Sequence, residues 1–308
     1  MPRHLKRMLH VAGVLLMLLS LWLIFSKVAD YRQVLHTHML SHPQHWLWLG
    51  GLSVCHALIL NLLGLGWHDN LRHLQQTLSR QQALVIYGIS QIGKYLPGNV
   101  LHFAGRQWLA QRWQLQQGKV LQATLNEIAG HVLAVGICIL VFACLNLAYV
   151  TACLQPYLFL TCWWLAGLGV LILILCVESF RHRLWTLISP LLAGFSVPSL
   201  GYYLLFHLLG GAMFVWVLHL LTPLPFAMSL AMLAYAIAWL VGFVVPGAPG
   251  GLGVREVVLL ALLAGVLPES VILLAALANR LFTTLGDIWF FVEAIALRHM
   301  CVHAEKLQ

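Results

Sequence analysis

Two Pro-Gly pairs interrupt long apolar stretches of this chain, and an arginine follows each proline by nine residues. Pro97 is followed by Arg106, and Pro246 is followed by Arg255. Proline removes a helical hydrogen bond and glycine weakens a helix, so both points predict a break. Broken backbone survives at membrane depth only where it is buried in protein or lines a wet cavity. The two motifs therefore predict two broken helices around an internal polar site, a design that transporters use.

Composition places almost the whole chain in a membrane. Of its 308 residues, 61% are hydrophobic and only 8% are charged, against about 25% in a typical soluble protein. We expect one all-α integral membrane domain over residues 1–308, with no soluble catalytic domain. Basic cytoplasmic loops account for the net charge of +8, which makes membrane lipids, and not nucleic acid, the expected partners.

No metal and no cofactor is expected. The seven cysteines form no CxxC or zinc-finger spacing, so we interpret them as small buried apolar residues. Histidines cluster at 36–45, where a polar interfacial loop explains them better than a metal site does.

The apolar stretches predict a polytopic transmembrane helix bundle of about seven or eight spans. No clean small-x-small cleavage site follows the apolar stretch 11–25, which favours a retained first helix over a signal peptide, and the basic residues before it indicate a cytoplasmic N-terminus. Charged loops alternate with uncharged turns, which agrees with that orientation in the inner (cytoplasmic) membrane. The predicted spans are 11–25, 46–67, 123–145, 156–177, 200–221, 227–245 and 270–297.

The two broken elements cover residues 83–113 and 246–266. Each half of the first element is shorter than the ~20 residues that a span needs, so a re-entrant pair or one deeply broken helix is expected there. The sequence leaves open whether residues 252–266 cross the membrane or turn back within it. The side of the membrane on which the C-terminus lies is open for the same reason. Residues 46–145 and 227–297 share an order of elements, in which an apolar span precedes and follows each Pro-Gly motif. The likeness is due either to an internal repeat or to chance.

Seven ionisable residues fall inside the predicted membrane segments. Each costs about 2.5–3.5 kcal/mol at a helix centre, or roughly 20 kcal/mol for the set if all faced lipid. They are therefore expected to face inward, to pair with one another or to contact water. Pairing of four cations with three anions would leave a slight cationic excess. The residues are Lys94, Arg106, Glu127, Arg255, Glu256, Arg280 and Asp287.

Spacing along two helices indicates inward polar stripes. Arg280 and Asp287 are seven residues apart and share a helix face, together with Asn279 and Thr283. Glu127 belongs to a second stripe with Thr124 and His131. Salt bridges that only hold the bundle together are the alternative explanation of these charges.

Arg106 and Arg255 are the candidate phosphate ligands, because each lies beside a glycine-rich break. Arginine binds phosphate through a planar fork, and free N–H groups at a helix start also favour anions. The 247–253 stretch lacks the GK[ST] ending of a nucleotide-binding loop and is no dinucleotide fingerprint. An anion such as a lipid phosphate is therefore the expected guest.

The motifs around both breaks resemble the flippase-like transmembrane domain of lysylphosphatidylglycerol synthases. The resemblance rests on KYLPGNV from Lys94 with Gly105-Arg106, and on VPGAPGGLGVRE from Val245 to Glu256. It implies a lipid-translocating membrane domain without the soluble aminoacyl-transferase domain that multifunctional members carry. The motif positions are Lys94, Pro97, Gly98, Arg106, Pro246, Gly247, Gly250, Gly251, Gly253, Arg255 and Glu256.

The main hypothesis is a flippase for lipid transport that moves an anionic or zwitterionic phospholipid or polyprenyl-linked lipid across the cytoplasmic membrane. Arg106 and Arg255 would hold phosphate, and the other five charges would shape the field of the cavity and could couple protons. An integral-membrane transferase of lipid-linked sugar is an alternative, although no catalytic motif is recognisable and an enzyme is not expected. A non-transporting accessory subunit, partnered with lipid or glycan biosynthesis enzymes, is the third.

Overall fold

The computed structural model describes residues 43–95, 101–154, 195–245, 249–251 and 253–306, together with Thr186. These residues form nine α-helices joined by turns and short 3-10 segments, with no strand among them. The predicted first helix at 11–25, the span at 156–177, and Pro97, Gly98, Pro246 and Gly247 lie outside the described residues. The helices are α1 (Pro43–His73), α2 (Arg80–Gln91), α3 (Leu101–Ala110), α4 (Gln117–Leu145), α5 (Leu147–Leu154), α6 (Val197–Leu221), α7 (Met228–Val244), α8 (Val254–Leu263) and α9 (Glu269–Lys306).

Four of the described helices are long and apolar enough to cross a membrane. They correspond to the spans predicted at 46–67, 123–145, 200–221 and 270–297, which are therefore confirmed as long apolar helices. The total of seven or eight spans stays a prediction. The span predicted to end at residue 67 is longer in the structure, because α1 continues to His73. Its last turns are buried, with Asn70 and Leu71 fully enclosed, so packing prolongs the helix into a polar sequence.

The first broken element is an antiparallel helical hairpin built from α2 and α3. Ser79 and Gln82 form a capping box that starts α2, and a 3-10 segment, Ile92–Tyr95, follows its end. A Cβ added at Gly93 would lie 2.8 Å from the backbone nitrogen of His102, which shows how closely the two arms approach. With 12 and 10 residues, the arms are about 18 and 15 Å long, well short of a ~30 Å hydrocarbon core.

The second broken element is a hairpin of α7 and α8, joined through the 3-10 segment Pro249–Gly251. Gly250, Gly251 and Gly253 have φ values of 58°, 76° and 80°, a region that glycine enters at little cost and other residues rarely adopt. Helix α8 has 10 residues, about 15 Å, so it is too short to cross the bilayer. It ends at a turn near Gly265, after which α9 begins.

Long helices pack closely around the two hairpins through small residues. Helix α9 packs along α1 and α2, and α6 packs between α1 and α4. A Cβ added at Gly286 of α9 would lie 2.7 Å from the carbonyl oxygen of Ser53 in α1, and one added at Gly130 of α4 would lie 2.5 Å from the Tyr203 ring in α6. Such glycines let membrane helices approach closely.

A long helix precedes and follows each hairpin in the described chain. The first order is α1, the hairpin α2–α3, and α4; the second is α6, the hairpin α7–α8, and α9. The turns of the two hairpins, Ile92–Tyr95 and Pro249–Gly251, contact each other in the interior. We call these two segments the first tip and the second tip. Their meeting point is the position of the candidate site.

Candidate functional site

A cavity of about 380 Å³ lies where the two tips meet. Both hairpins line it, together with residues from α1, α4, α6 and α9. Six of the seven charged residues predicted to form an internal site are on its wall: Lys94, Arg106, Glu127, Arg255, Arg280 and Asp287. The seventh, Glu256, lies beside the cavity in a void of about 10 Å³ that it shares with Arg255 and Arg280. The charges that the sequence scatters over some 190 residues therefore converge in one place.

Arg106 and Glu127 form the most deeply buried ion pair of the described residues. Their exposed fractions are 1% and 3%, and one guanidinium nitrogen of Arg106 donates to Glu127 Oε2. The Tyr87 hydroxyl donates to the other oxygen, Oε1, at 2.7 Å. Tyr87 also stacks on Arg106, whose guanidinium carbon lies 3.9 Å from the ring centroid. This arrangement ties both arms of the first hairpin to α4.

Lys94 and Asp287 form a second pair, which ties the first tip to α9. Lys94 Nζ donates to Asp287 Oδ1 at 2.7 Å, and the Tyr95 hydroxyl donates to Oδ2. Asp287 is 1% exposed, so both of its oxygens are engaged away from water. Two consecutive residues of the first tip are thus held by one carboxylate.

Arg280 ties the second tip to the same helix. Its Nη1 donates to the carbonyl oxygen of Gly250 at 2.7 Å, and its Nη2 lies 3.5 Å from Glu256 Oε1. Arg280 and Asp287 occupy the same face of α9, as their spacing of seven residues predicts. One face of α9 therefore holds both tips.

Arg255 differs from the other three cations. No carboxylate of the described residues lies within ion-pair distance of it, and its buried Nε has no hydrogen-bond partner there. Its side chain runs between two glycines: a Cβ at Gly242 would lie 2.6 Å from Arg255 Cγ, and one at Gly251 would lie 2.8 Å from Nε. The Trp239 ring centroid is 5.7 Å from the guanidinium carbon. Of the described cations lining the cavity, Arg255 is thus the one without a described carboxylate within ion-pair distance.

A comparison with protein families adds to this geometry. A family model described as the lysylphosphatidylglycerol synthase TM region matches residues 10–288. The chain belongs to that family. The resemblance that the two motifs carry is therefore confirmed, and this lysylphosphatidylglycerol synthase TM-region protein is a multi-pass integral membrane protein of lipid metabolism or transport. A search of curated proteins gave no match, and a search of solved structures gave none either.

The aromatic and histidine residues of the site in this family member were not predicted, apart from His131. Trp239 and Phe243 stack with centroids 4.9 Å apart and form an apolar wall. His131 also lines the cavity, and its Nδ1 lies 3.3 Å from Nε2 of His207. Tyr87 and Tyr95 complete the two carboxylate sites. Tyr95 follows Lys94 within the first motif, so its position in the sequence could have indicated a role in the site. Tyr87 and Trp239 lie in apolar stretches, which give no such indication.

Proposed function

We propose that this protein is a flippase that moves phosphate-bearing lipids across the cytoplasmic membrane, with its N-terminus on the cytoplasmic side. The headgroup passes through the cavity between the two tips while the lipid tails stay in the bilayer. The observation that carries the proposal is Arg255, which has no carboxylate within ion-pair distance among the described residues, while the other described cations of the cavity are paired. A buried charge without a partner is expensive, so it is expected to serve a ligand.

The surroundings of Arg255 favour phosphate as that ligand. Arginine presents a planar fork of donors that matches phosphate oxygens, and Arg255 holds a buried Nε donor free. It lies in the first turn of α8, where Gly253 provides no side-chain cap for the free N–H groups. These donors and the helix dipole also favour an anion. The glycines at 242 and 251 fix the course of the side chain.

The other charges hold the hairpins in place. Arg106 and Lys94 are each bound by a carboxylate that also accepts from a tyrosine. We therefore assign phosphate binding to Arg255, and we assign Arg106, Glu127, Lys94 and Asp287 to positioning. Because Arg280 and Asp287 both belong to α9, a movement of α9 would shift both tips together. That coupling is what alternating access between two sides of a membrane requires.

Transferase chemistry has less support in this site. A transferase needs a free general base on the cavity wall. In Glu127 and Asp287 both carboxylate oxygens already accept hydrogen bonds, and Glu256, which has a free oxygen, lies beside the cavity in the void of about 10 Å³. The accessory-subunit hypothesis predicts that the charges of the cavity matter only for folding. The transport assay separates these three functions.

The test is a lipid translocation assay in proteoliposomes with Arg255→Gln beside the wild type. The probe is a chain-labelled fluorescent phosphatidylglycerol whose outer-leaflet pool is bleached by a membrane-impermeant reductant. We expect Arg255→Gln to lower the translocation rate about 10- to 100-fold, because a hydrogen bond to a charged group contributes about 1.5–3 kcal/mol. The variant should insert normally and give an unchanged size-exclusion profile.

The matched control is Arg112→Gln, which removes an exposed arginine by the same substitution. Its rate should equal that of the wild type. Wild-type transport by Arg255→Gln would contradict the phosphate-binding role. Absence of transport in the wild type with every lipid tested would favour an accessory subunit, and turnover of a labelled lipid-linked sugar would favour a transferase.

A further inference from the structure

We infer that the cavity selects a compact headgroup whose phosphate charge is not compensated by an ammonium group. The inference rests on the proposed function. It narrows the substrate class from phosphate-bearing lipids in general to those with a net negative headgroup. Three properties of the described residues carry it: the balance of charge, the occupancy of the carboxylates and the volume of the cavity.

The charge balance favours a net negative guest. Among the described residues of the site, three cations are matched by three carboxylates and Arg255 remains unmatched. A headgroup with one uncompensated phosphate charge brings the local sum to zero. A zwitterionic headgroup leaves the excess positive charge in place and adds an ammonium group beside it, which like charges oppose.

On the part of the cavity wall that the structure describes, every carboxylate oxygen already accepts a hydrogen bond. Glu127 Oε1 and Oε2 accept from Tyr87 and Arg106, and Asp287 Oδ1 and Oδ2 accept from Lys94 and Tyr95. Glu256 has one oxygen without a hydrogen bond, but this residue faces the neighbouring void of about 10 Å³ and not the cavity. That void has roughly the room of one water molecule. An ammonium group would therefore have to share a carboxylate with a lysine or an arginine, next to a charge of its own sign.

The aromatic wall does not substitute for a carboxylate. Trp239 and Phe243 stack on each other, and the Trp239 face also receives Arg255. A second cation over this ring would be placed next to the guanidinium group. The site therefore differs from an aromatic cage for choline, in which the rings face one cation with no competitor.

The volume limits the size of the headgroup. At about 380 Å³, the cavity is near the lower end of the roughly 300–1,000 Å³ that small-molecule pockets span. A single phosphate with a small alcohol fits this space, as does a bare phosphate on a polyprenyl chain. A lipid-linked oligosaccharide is too large for it.

The test compares translocation of chain-labelled lipids that differ in one property at a time. Phosphatidylglycerol and phosphatidylcholine share a phosphodiester and differ by the ammonium group, whereas phosphatidylinositol keeps the net charge and enlarges the headgroup. We expect phosphatidylglycerol to move at least about tenfold faster than phosphatidylcholine, a difference of about 1.4 kcal/mol. Phosphatidylinositol, whose headgroup also fits within about 380 Å³, should move at a rate close to that of phosphatidylglycerol. Equal rates for phosphatidylglycerol and phosphatidylcholine, or phosphatidylinositol as slow as phosphatidylcholine, would overturn the charge selection.

Two variants separate this inference from the proposed function. Arg255→Lys keeps the charge but loses the planar fork, so it should be slower yet retain the preference for phosphatidylglycerol over phosphatidylcholine. Arg255→Gln should lose that preference along with its rate. If Arg255→Gln is inactive while the wild type moves all three lipids equally, the flippase stands and the selectivity inference is wrong.

Binding gives a second readout that does not depend on transport. Titration calorimetry with short-chain lipids of the same three headgroups, on the purified wild-type protein in detergent, should show the same order of affinity. If no lipid is translocated but the order of affinity holds, the flippase fails and the selectivity stands. If neither transport nor binding discriminates among the headgroups, the inference is overturned.

Discussion

The buried pair of Arg106 and Glu127 provides a quantitative test of how the site is built. Arg106→Gln leaves the Glu127 carboxylate enclosed with Tyr87 as its remaining close donor. Both partners are almost completely buried, at 1% and 3% exposed, so water does little to screen the orphaned charge. Removing one partner of such a pair costs about 3–5 kcal/mol. Glu127→Gln orphans the arginine instead and should cost a similar amount.

The double variant Arg106→Gln/Glu127→Gln should be more stable than either single variant. Replacement of both charges removes the desolvation penalty together with the attraction, which is often nearly neutral. The remaining loss is the stacking of the guanidinium group on Tyr87, at a centroid distance of 3.9 Å, which contributes about 2 kcal/mol when desolvated. The double variant should therefore lie within about 2 kcal/mol of the wild type.

The measurement is reversible unfolding in mixed micelles, followed by circular dichroism. The single variants should shift the unfolding equilibrium by roughly 10²- to 10⁴-fold, while Arg112→Gln, at an exposed site, should change it little. A double variant as unstable as the singles would refute the pairing argument. The double variant should also keep lipid translocation within about threefold of the wild type. If the double variant is stable but inactive, phosphate binding would have to be assigned to Arg106.

Two further predictions follow from close contacts in the site. Gly242→Ala places a Cβ 2.6 Å from Arg255 Cγ, so it should abolish translocation in a protein that still folds. The control is Gly136→Ala, whose Cβ meets no atom within 4 Å and which should leave transport unchanged. Normal transport by Gly242→Ala would show that the position of the Arg255 side chain is unimportant. Asp287→Asn releases Lys94 and weakens the hold on Tyr95, so amide hydrogen exchange should accelerate at residues 92–95 relative to the wild type, and unchanged protection there would argue against α9 holding the first tip.

Much of the fold could be predicted because membrane physics leaves few choices. Long apolar stretches predict helices, and four of them are long helices in the structure. The breaks separate α2 from α3 and α7 from α8, since proline and glycine act locally. The length of α1 could not be predicted, because burial of Asn70 and Leu71 against other helices extends it beyond the apolar stretch.

The charged members of the site could be predicted as a set but not as pairs. The cost of charge in a membrane requires the seven residues to face inward, and six of them line one cavity. Which cation meets which carboxylate depends on how helices far apart in sequence pack together. For the same reason the sequence treats Arg106 and Arg255 alike, whereas of these two only Arg106 has a carboxylate of the described residues within ion-pair distance. Tyr87 and Trp239 look like ordinary apolar residues until their neighbours are known.

The partners of the two buried ion pairs are synthesised at different intervals as the chain is made. Arg106 and Glu127 are 21 residues apart, so at ~5–20 residues per second the partner of Arg106 emerges from the ribosome within about 1–4 s. Lys94 and Asp287 are 193 residues apart, which corresponds to about 10–40 s. During that interval Lys94 has no access to its native carboxylate, although a charge at membrane depth costs about 2.5–3.5 kcal/mol. The first tip therefore reaches its final position only after α9 has been made, and assembly of the candidate site is a late step in biogenesis.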